Sequence, residues 1–209
     1  MNHNLGSDDN EVHARRIKLD KIRSILFQEL GGTKCTNCGY NQFRSLVIAY
    51  KERNTKRTSN FTVYQKFLKN IEQAKEELTV LCYNCLRRRM NRQRKRNPVG
   101  DYHRYGKQYD LKQRQAIMKI INQPVCNNCW EQDFEVLEIV YIIPSVSQKY
   151  KDLFKSKRRV LRYYISQPEM AIKNLRILCC NCNHIRQHKF RGFDPISDTE
   201  STKTCHSLA

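Results

Sequence analysis

The sequence has no apolar run long enough to cross a bilayer. Its longest apolar patch, Val136 to Ile143, is broken by Glu138 and falls well short of the ~20 residues that a spanning helix needs. It also lacks the apolar stretch of a secretory signal, because Met1 to Glu11 is polar and carries Asp8, Asp9 and Glu11. A soluble, intracellular protein is therefore expected, in a reducing environment where disulfides are disfavoured. Acidic residues are scarce: 20 Asp and Glu stand against 39 Lys and Arg, a formal charge of +19. Such an excess calls for a polyanionic partner, and nucleic acid is the usual one. A basic amphipathic helix with a Trp/Phe/Leu face is not evident, so an anionic membrane is not the expected partner.

Cysteine, by contrast, is plentiful, and eight of the ten fall into four Cys-x-x-Cys pairs: Cys35/Cys38, Cys82/Cys85, Cys126/Cys129 and Cys179/Cys182. The pairs sit in a repeated frame. Arg23 and Arg114 each lie twelve residues before the first cysteine of their half, and Leu46 and Leu137 each lie eight after the second. Leu78 and Leu81 precede Cys82 as Leu175 and Leu178 precede Cys179. Only the middle differs, with 43 residues between Cys38 and Cys82 and 49 between Cys129 and Cys179. One supersecondary unit used twice, with a loop of free length, accounts for constant ends and a variable middle.

Four thiolates suit zinc, a borderline-soft ion without redox chemistry that accepts four sulfurs in a tetrahedron. Two quartets predict two structural zinc ions, held by Cys35, Cys38, Cys82 and Cys85 and by Cys126, Cys129, Cys179 and Cys182. An all-cysteine site leaves no position for water and is structural rather than catalytic. The alternatives are unrelated reduced pairs or disulfides. Cys180 and Cys205 are surplus to the quartets, although Cys180 can exchange with Cys179.

Along the chain, residues 1–11 read as disordered. Ile17, Ile22, Ile25, Leu26 and Leu30 then recur at mostly helical spacing, and Gly31-Gly32 stops that helix. Phe43 to Tyr50 reads as a strand, residues 51–60 as a polar loop, Phe61 to Glu77 as a helix and Leu78 to Leu81 as a short strand. Cys82/Cys85 opens a helix that becomes Arg87, Arg88, Arg89, Met90, Asn91, Arg92, Gln93, Arg94, Lys95 and Arg96, seven of ten residues basic. Like charges on every side of a helix repel, so this stretch reads as a phosphate-contacting arm, with a basic linker as the plainer alternative. Asn97-Pro98-Val99-Gly100 breaks it. Residues 97–112 form a linker in which Tyr102, His103, Arg104, Tyr105, Lys107 and Tyr109 interleave aromatic and basic groups. These can stack on bases and neutralise phosphates, or simply connect two domains.

Leu111 to Ile121 repeats the leading helix, Trp130 stands behind the third cysteine pair, and Val136 to Ile143 is a strand ended by Pro144. A second basic cluster, Lys149, Lys151, Lys155, Lys157, Arg158, Arg159 and Arg162, falls in the variable middle of the second half. A helix with Arg186, His188, Lys189 and Arg191 follows the last pair, and residues 193–209 read as a loose tail. The units are thus 12–96 and 113–192.

The order knuckle, strand, loop, short Leu-rich strand, knuckle, helix resembles the HNH endonuclease family in its zinc-stapled ββα form. The resemblance rests on Leu137-Glu138-Ile139-Val140-Tyr141-Ile142-Ile143-Pro144 with Asn174-Leu175-Arg176-Ile177-Leu178-Cys179. It is fainter in Leu46-Val47-Ile48-Ala49-Tyr50 with Leu78-Thr79-Val80-Leu81-Cys82. It covers roughly residues 22–96 and 113–191. It implies an α+β chain of two tandem small zinc-stapled treble-clef, HNH-like units with connecting helices.

The departures from that family bear on function. Where its strand carries a metal-binding Asp or His followed by a general-base His, this chain has Ala49-Tyr50 and Val140-Tyr141. Ala and Val cannot bind metal, and tyrosine, with an ordinary pKa near 10, is a poor base at neutral pH. Where the family often carries a further metal-binding His, the first unit offers Leu86 and Met90. The second offers Asn183, with His184 and His188 in shifted register. Asn174 matches the family's Asn.

The expectation is a non-catalytic, zinc-containing protein that binds nucleic acid, DNA or RNA. Arg87, Arg88, Arg89, Arg92, Arg94, Lys95, Arg96, Lys155, Lys157, Arg158, Arg159 and Arg162 would contact phosphate. The alternatives are a metal-dependent HNH endonuclease cutting DNA, and a structural zinc protein of a large ribonucleoprotein such as a ribosome.

Overall fold

Two pairs of antiparallel strands, each flanked by helices, organise the chain. The computed structural model describes residues 6–52, 61–96, 101–122, 124–143, 154 and 156–190. The architecture is α+β, with two separate two-stranded sheets. It divides into two units, Met1–Leu86 and Arg87–Ala209.

In the first unit, helix α1 (Gly6–Glu29) begins within the stretch expected to be disordered. Leu26 and Phe27 are fully buried, whereas Ile17 and Ile25, which share the helical spacing of apolar residues, are exposed. The helix stops at Gly31 and Gly32, both at left-handed φ (103° and 100°). Gly32 N–H there donates to the Phe27 carbonyl at 2.7 Å, a closure that residues with a Cβ rarely adopt.

A 3-10 turn, Phe43–Ser45, leads into β1 (Leu46–Tyr50), which pairs with β2 (Leu78–Cys82), Leu46 opposite Cys82 and Tyr50 opposite Leu78. Between the strands lie α2 (Phe61–Lys69) and α3 (Ile71–Glu77). One continuous helix was the expectation. Asn70 interrupts it with a non-helical backbone, and its side chain accepts a hydrogen bond from Gln73 N–H at 3.1 Å, capping α3. Helix α4 (Tyr83–Arg96) follows β2 without a break, and its residues from Arg87 onward group with the second unit.

The second unit repeats this order: α5 (Asp101–Ile120), β3 (Leu137–Tyr141), α6 (Lys157–Ser166), α7 (Pro168–Asn174), β4 (Leu175–Cys179) and α8 (Cys180–Phe190). Strand β3 pairs with β4 in the register of the first sheet, Leu137 opposite Cys179 and Tyr141 opposite Leu175. Its core gathers Ile117, Val160, Leu161, Tyr164, Ala171 and Leu175. Burying the larger aliphatic side chains among these contributes about 1.5–3 kcal/mol each. Residues 101–112, expected as linker, belong to α5, whose packing against α6 and α7 holds the helix in place.

The correspondence between units reaches further than the cysteine frame. Arg23 donates to the Leu46 carbonyl and Arg114 to the Leu137 carbonyl. Arg23 also lies over the Phe43 ring, and Arg114 over the Phe134 ring. Lys51 N–H bonds the Glu77 carbonyl at 2.7 Å as Ile142 N–H bonds that of Asn174 at 2.8 Å. Buried Phe67 and Ala74 have counterparts in Tyr164 and Ala171. The paired middle helices are thus part of the repeat, and the six additional residues of the second half fall between β3 and α6. From Lys157 onward the second basic cluster is helix, not variable loop; Ser156 caps it by accepting from Arg159 N–H at 3.3 Å. Residues 1–5, most of the 51–60 loop, Asn97–Gly100, Pro144, Lys149, Lys151, Lys155, Arg191, the 193–209 tail and Cys205 lie outside the described residues. Among the described residues no helix is long and apolar enough to cross a membrane.

Candidate metal centres and basic surface

Each quartet assembles at one end of its strand pair. The first Cys-x-x-Cys turn is held by Cys35 N–H to the Tyr40 carbonyl at 2.7 Å and Gly39 N–H to the Cys35 carbonyl at 2.9 Å. Its counterpart uses Cys126 N–H to the Glu131 carbonyl at 2.8 Å and Trp130 N–H to the Cys126 carbonyl at 3.0 Å. Each turn is tied to the second strand, by Thr36 N–H to the Val80 carbonyl and by Asn127 N–H to that of Ile177, both at 2.9 Å. The second pair of each quartet sits where strand becomes helix. There Cys85 N–H points at Cys82 Sγ and Cys182 N–H at Cys179 Sγ, both at 3.5 Å.

The two groups can hold metal ions. Within Cys35, Cys38, Cys82 and Cys85, and within Cys126, Cys129, Cys179 and Cys182, the ligand atoms lie within 4.8 Å of one another. Cys38 Sγ is 3.8 Å from Cys82 Sγ, and Cys129 Sγ is 3.6 Å from Cys179 Sγ. Four sulfurs at about 2.3 Å from one tetrahedral ion stand about 3.8 Å apart. These cysteines are in the reduced form, and a disulfide would require sulfurs about 2.05 Å apart.

Each group holds at least one cysteine shifted toward thiolate. Hydrogen bonds from Cys38, Cys82 and Cys85 hold Cys35 far below the usual thiol range. The bond with Cys35 pushes Cys38 and Cys82 up in turn. Cys85 is lowered to about 7: its contact with Cys35 works against this, but contacts with Cys38, Cys82 and the Asn37 amide prevail. Asn37 Nδ2 lies 3.3 Å from Cys85 Sγ. Cys126 is lowered to about 7, chiefly by Cys129. Thiolate is the form that binds metal.

Cys180 stands outside the quartet. Its thiol is buried and donates to the Val136 carbonyl at 3.2 Å, and burial pushes its pKa up to about 12. Asn84 and Asn181, both 1% exposed, occupy the same slot inside the second pair of each unit and went unnoticed in the sequence. An Asn before the last cysteine of both quartets was the available signal.

No protein-family model, curated protein or solved structure matches this chain.

The strand positions Ala49-Tyr50 and Val140-Tyr141 are packed. Ala49 and Val140 are buried. Tyr50 meets the Phe67 ring edge-on with centroids 6.1 Å apart, and Tyr141 meets Tyr164 in the same way at 6.1 Å. Behind the last pair, His184 Nε2 and His188 Nε2 lie 2.9 Å apart, one helical turn from each other. Arg186 donates to the carbonyls of Tyr141 and Ile142, fixing α8 along β3. Where the first unit buries Val47 and Leu86, the second has Glu138 and Asn183, joined by a 2.7 Å hydrogen bond.

The basic residues separate into distinct roles. Arg87 pairs with Glu138, and Arg88 pairs with Glu131 at 3.0 Å and Asp133 at 2.6 Å. Burial works against the Arg88 charge, but Asp133 and Glu131 outweigh it and hold the guanidinium above its ordinary range. Asn91, one turn on, donates to the Glu135 carbonyl at 3.4 Å. Arg87 and Arg88, expected to contact phosphate, are therefore engaged by carboxylates of the second unit. Arg89 is half-buried and Arg92 exposed. Arg94, Lys95 and Arg96 lie in the last turn of α4 and Lys157 at the start of α6, with side chains outside the description, as is Lys155 altogether. Arg158, Arg159 and Arg162 are exposed on α6.

Proposed function

We propose that this is a non-catalytic nucleic-acid-binding protein built on two zinc-stapled, treble-clef units resembling HNH nucleases with dismantled active sites. Zinc is the ion that the donor set favours, since four thiolates at tetrahedral spacing match its chemistry and leave no coordination site for water. The observation that carries the reading is the contrast within each unit. A complete cysteine quartet adjoins strand positions held by Ala49-Tyr50 and Val140-Tyr141, in a chain of charge +19. Both tyrosines pack against aromatic rings, a structural role, and neither has a metal-binding neighbour on the strand.

The charge suits a phosphate backbone, and Arg92, Arg158, Arg159 and Arg162 are its exposed candidates among the described residues, with Arg89 and Arg94 to Arg96 on the same helix as Arg92. Binding should weaken steeply with salt, because each neutralised phosphate releases counterions.

The 2.9 Å His184–His188 pair favours one second reading, a metal-dependent nuclease, because two histidines one turn apart can chelate a divalent ion. Incubating zinc-loaded protein with supercoiled plasmid and Mg²⁺ or Mn²⁺ separates the two. Binding without nicking supports the first, and nicking abolished by His184→Ala supports the second. Recovery of ribosomal RNA with the native protein would direct the same binding chemistry to a large ribonucleoprotein.

A further inference from the structure

On the second unit one exposed aromatic residue is clasped by two arginines. Tyr109, 42% exposed, lies on α5. Arg158 and Arg162, one turn apart on α6, place their guanidinium carbons 6.0 Å and 5.9 Å from its ring centroid. The ring is anchored from below, because the buried Gln113 donates Nε2 to the Tyr109 hydroxyl at 3.0 Å. Like charges at this helical spacing repel, and the electron-rich ring draws both together. Asp110 offsets part of the charge through Arg158 at 2.9 Å, but that pair is exposed on both sides and weak. Arg159 and Lys112 add exposed positive charge nearby in sequence.

We propose that Tyr109, with Arg158 and Arg162, is a docking point for an unpaired nucleobase and its flanking phosphates. The site would therefore take single-stranded or looped nucleic acid in preference to continuous duplex. This rests on the nucleic-acid-binding reading above and narrows its substrate. Phosphate contact alone needs only cations. An anchored, partly exposed ring beside two guanidinium groups adds a stacking surface, and every base has a face to stack on it. In a duplex those faces are already stacked, so the ring has nothing to add there. Arginine planes stack on splayed bases as well as bonding phosphate.

The test uses full-length, metal-loaded protein and fluorescence anisotropy with 20-nucleotide oligo(dT), 20-nucleotide oligo(U) and a 20-base-pair DNA duplex. Tyr109→Ala should weaken binding of the single strands about tenfold, with an unchanged salt slope and duplex binding within about twofold. Tyr109→Phe should bind as the parent does, since the ring remains. Arg158→Gln with Arg162→Gln should flatten the single-strand salt slope by about 0.7 for each phosphate that is no longer neutralised. Tyr109→Leu, which keeps apolar volume without a ring, takes the place of Tyr109→Ala should the latter not fold. Equal losses on duplex and single strand, or no loss on either, would overturn the proposal while leaving nucleic-acid binding intact. A parent protein that binds none of the three probes would overturn both readings.

Discussion

Arg88→Ala should destabilise the second unit while leaving its interaction with nucleic acid almost untouched. The Arg88 side chain is 16% exposed and that of Glu131 only 5%, with a 3.0 Å contact between them and a 2.6 Å contact to the more open Asp133. Truncating the arginine removes the 3.0 Å contact to the buried Glu131 carboxylate and the 2.6 Å contact to Asp133. Removing one partner of a buried pair costs about 3–5 kcal/mol. The more exposed Asp133 adds little, so the low end, about 3 kcal/mol, applies. For a domain of roughly 100 residues that lowers Tm by about 12–24 °C. Thermal unfolding of the metal-loaded protein followed by circular dichroism reads the loss directly. Arg88→Lys should recover only part of it, because an ammonium lacks the fork that reaches two carboxylates. An oligonucleotide titration from 50 to 200 mM salt supplies the control, and its slope should match the parent's. Unchanged Tm together with a slope flatter by about 0.9, equivalent to one phosphate on duplex DNA, would refute the reasoning and return Arg88 to the phosphate arm.

Other outcomes follow from the same geometry. Metal analysis of purified protein should give two zinc ions per chain, and Cys82→Ser should unfold the first unit while the second stays folded, since each structural zinc contributes on the order of 10 kcal/mol. Because the metal-bound form is the thiolate, lowering the pH should release zinc and raising it should restore binding; zinc affinity that rises on acidification would contradict cysteine ligation. Arg92→Gln should flatten the salt slope on duplex DNA by about 0.9 without lowering Tm, the reverse of Arg88→Ala. Cys180→Ser should retain both zincs, and a variant holding only one would place Cys180 in the quartet.

The cysteine quartets were the most legible part of the molecule, because Cys-x-x-Cys spacing is local and the residue chemistry is specific. The strands could also be read, from Leu46, Val47 and Ile48 and from Leu175 to Leu178. The paired arginines Arg23 and Arg114 were visible as a spacing, but their purpose emerged only in three dimensions, as donors to the carbonyls of Leu46 and Leu137. What escaped depends on distant partners or single capping residues. The carboxylates that pair with Arg87 and Arg88, namely Glu131, Asp133 and Glu138, were not foreseen because they come from a strand and loop more than forty residues away. The break at Asn70 turns on one side-chain cap within an otherwise helical pattern. Ile17 and Ile25 follow helical periodicity, yet the buried face of α1 runs through Leu26 and Phe27.

The central claim, a nucleic-acid binder on a nuclease-like frame without its catalysis, is most directly tested with zinc-loaded protein, supercoiled plasmid and Mg²⁺. Half of each reaction is run on a native gel and half on a gel after protein removal. The expected result is retarded plasmid on the first and unbroken supercoils on the second, at every protein concentration that shifts the DNA. A protein that at low salt retards neither the plasmid nor single-stranded oligo(dT) or oligo(U), or supercoils converted to nicked circles by the parent but not by His184→Ala, would contradict it.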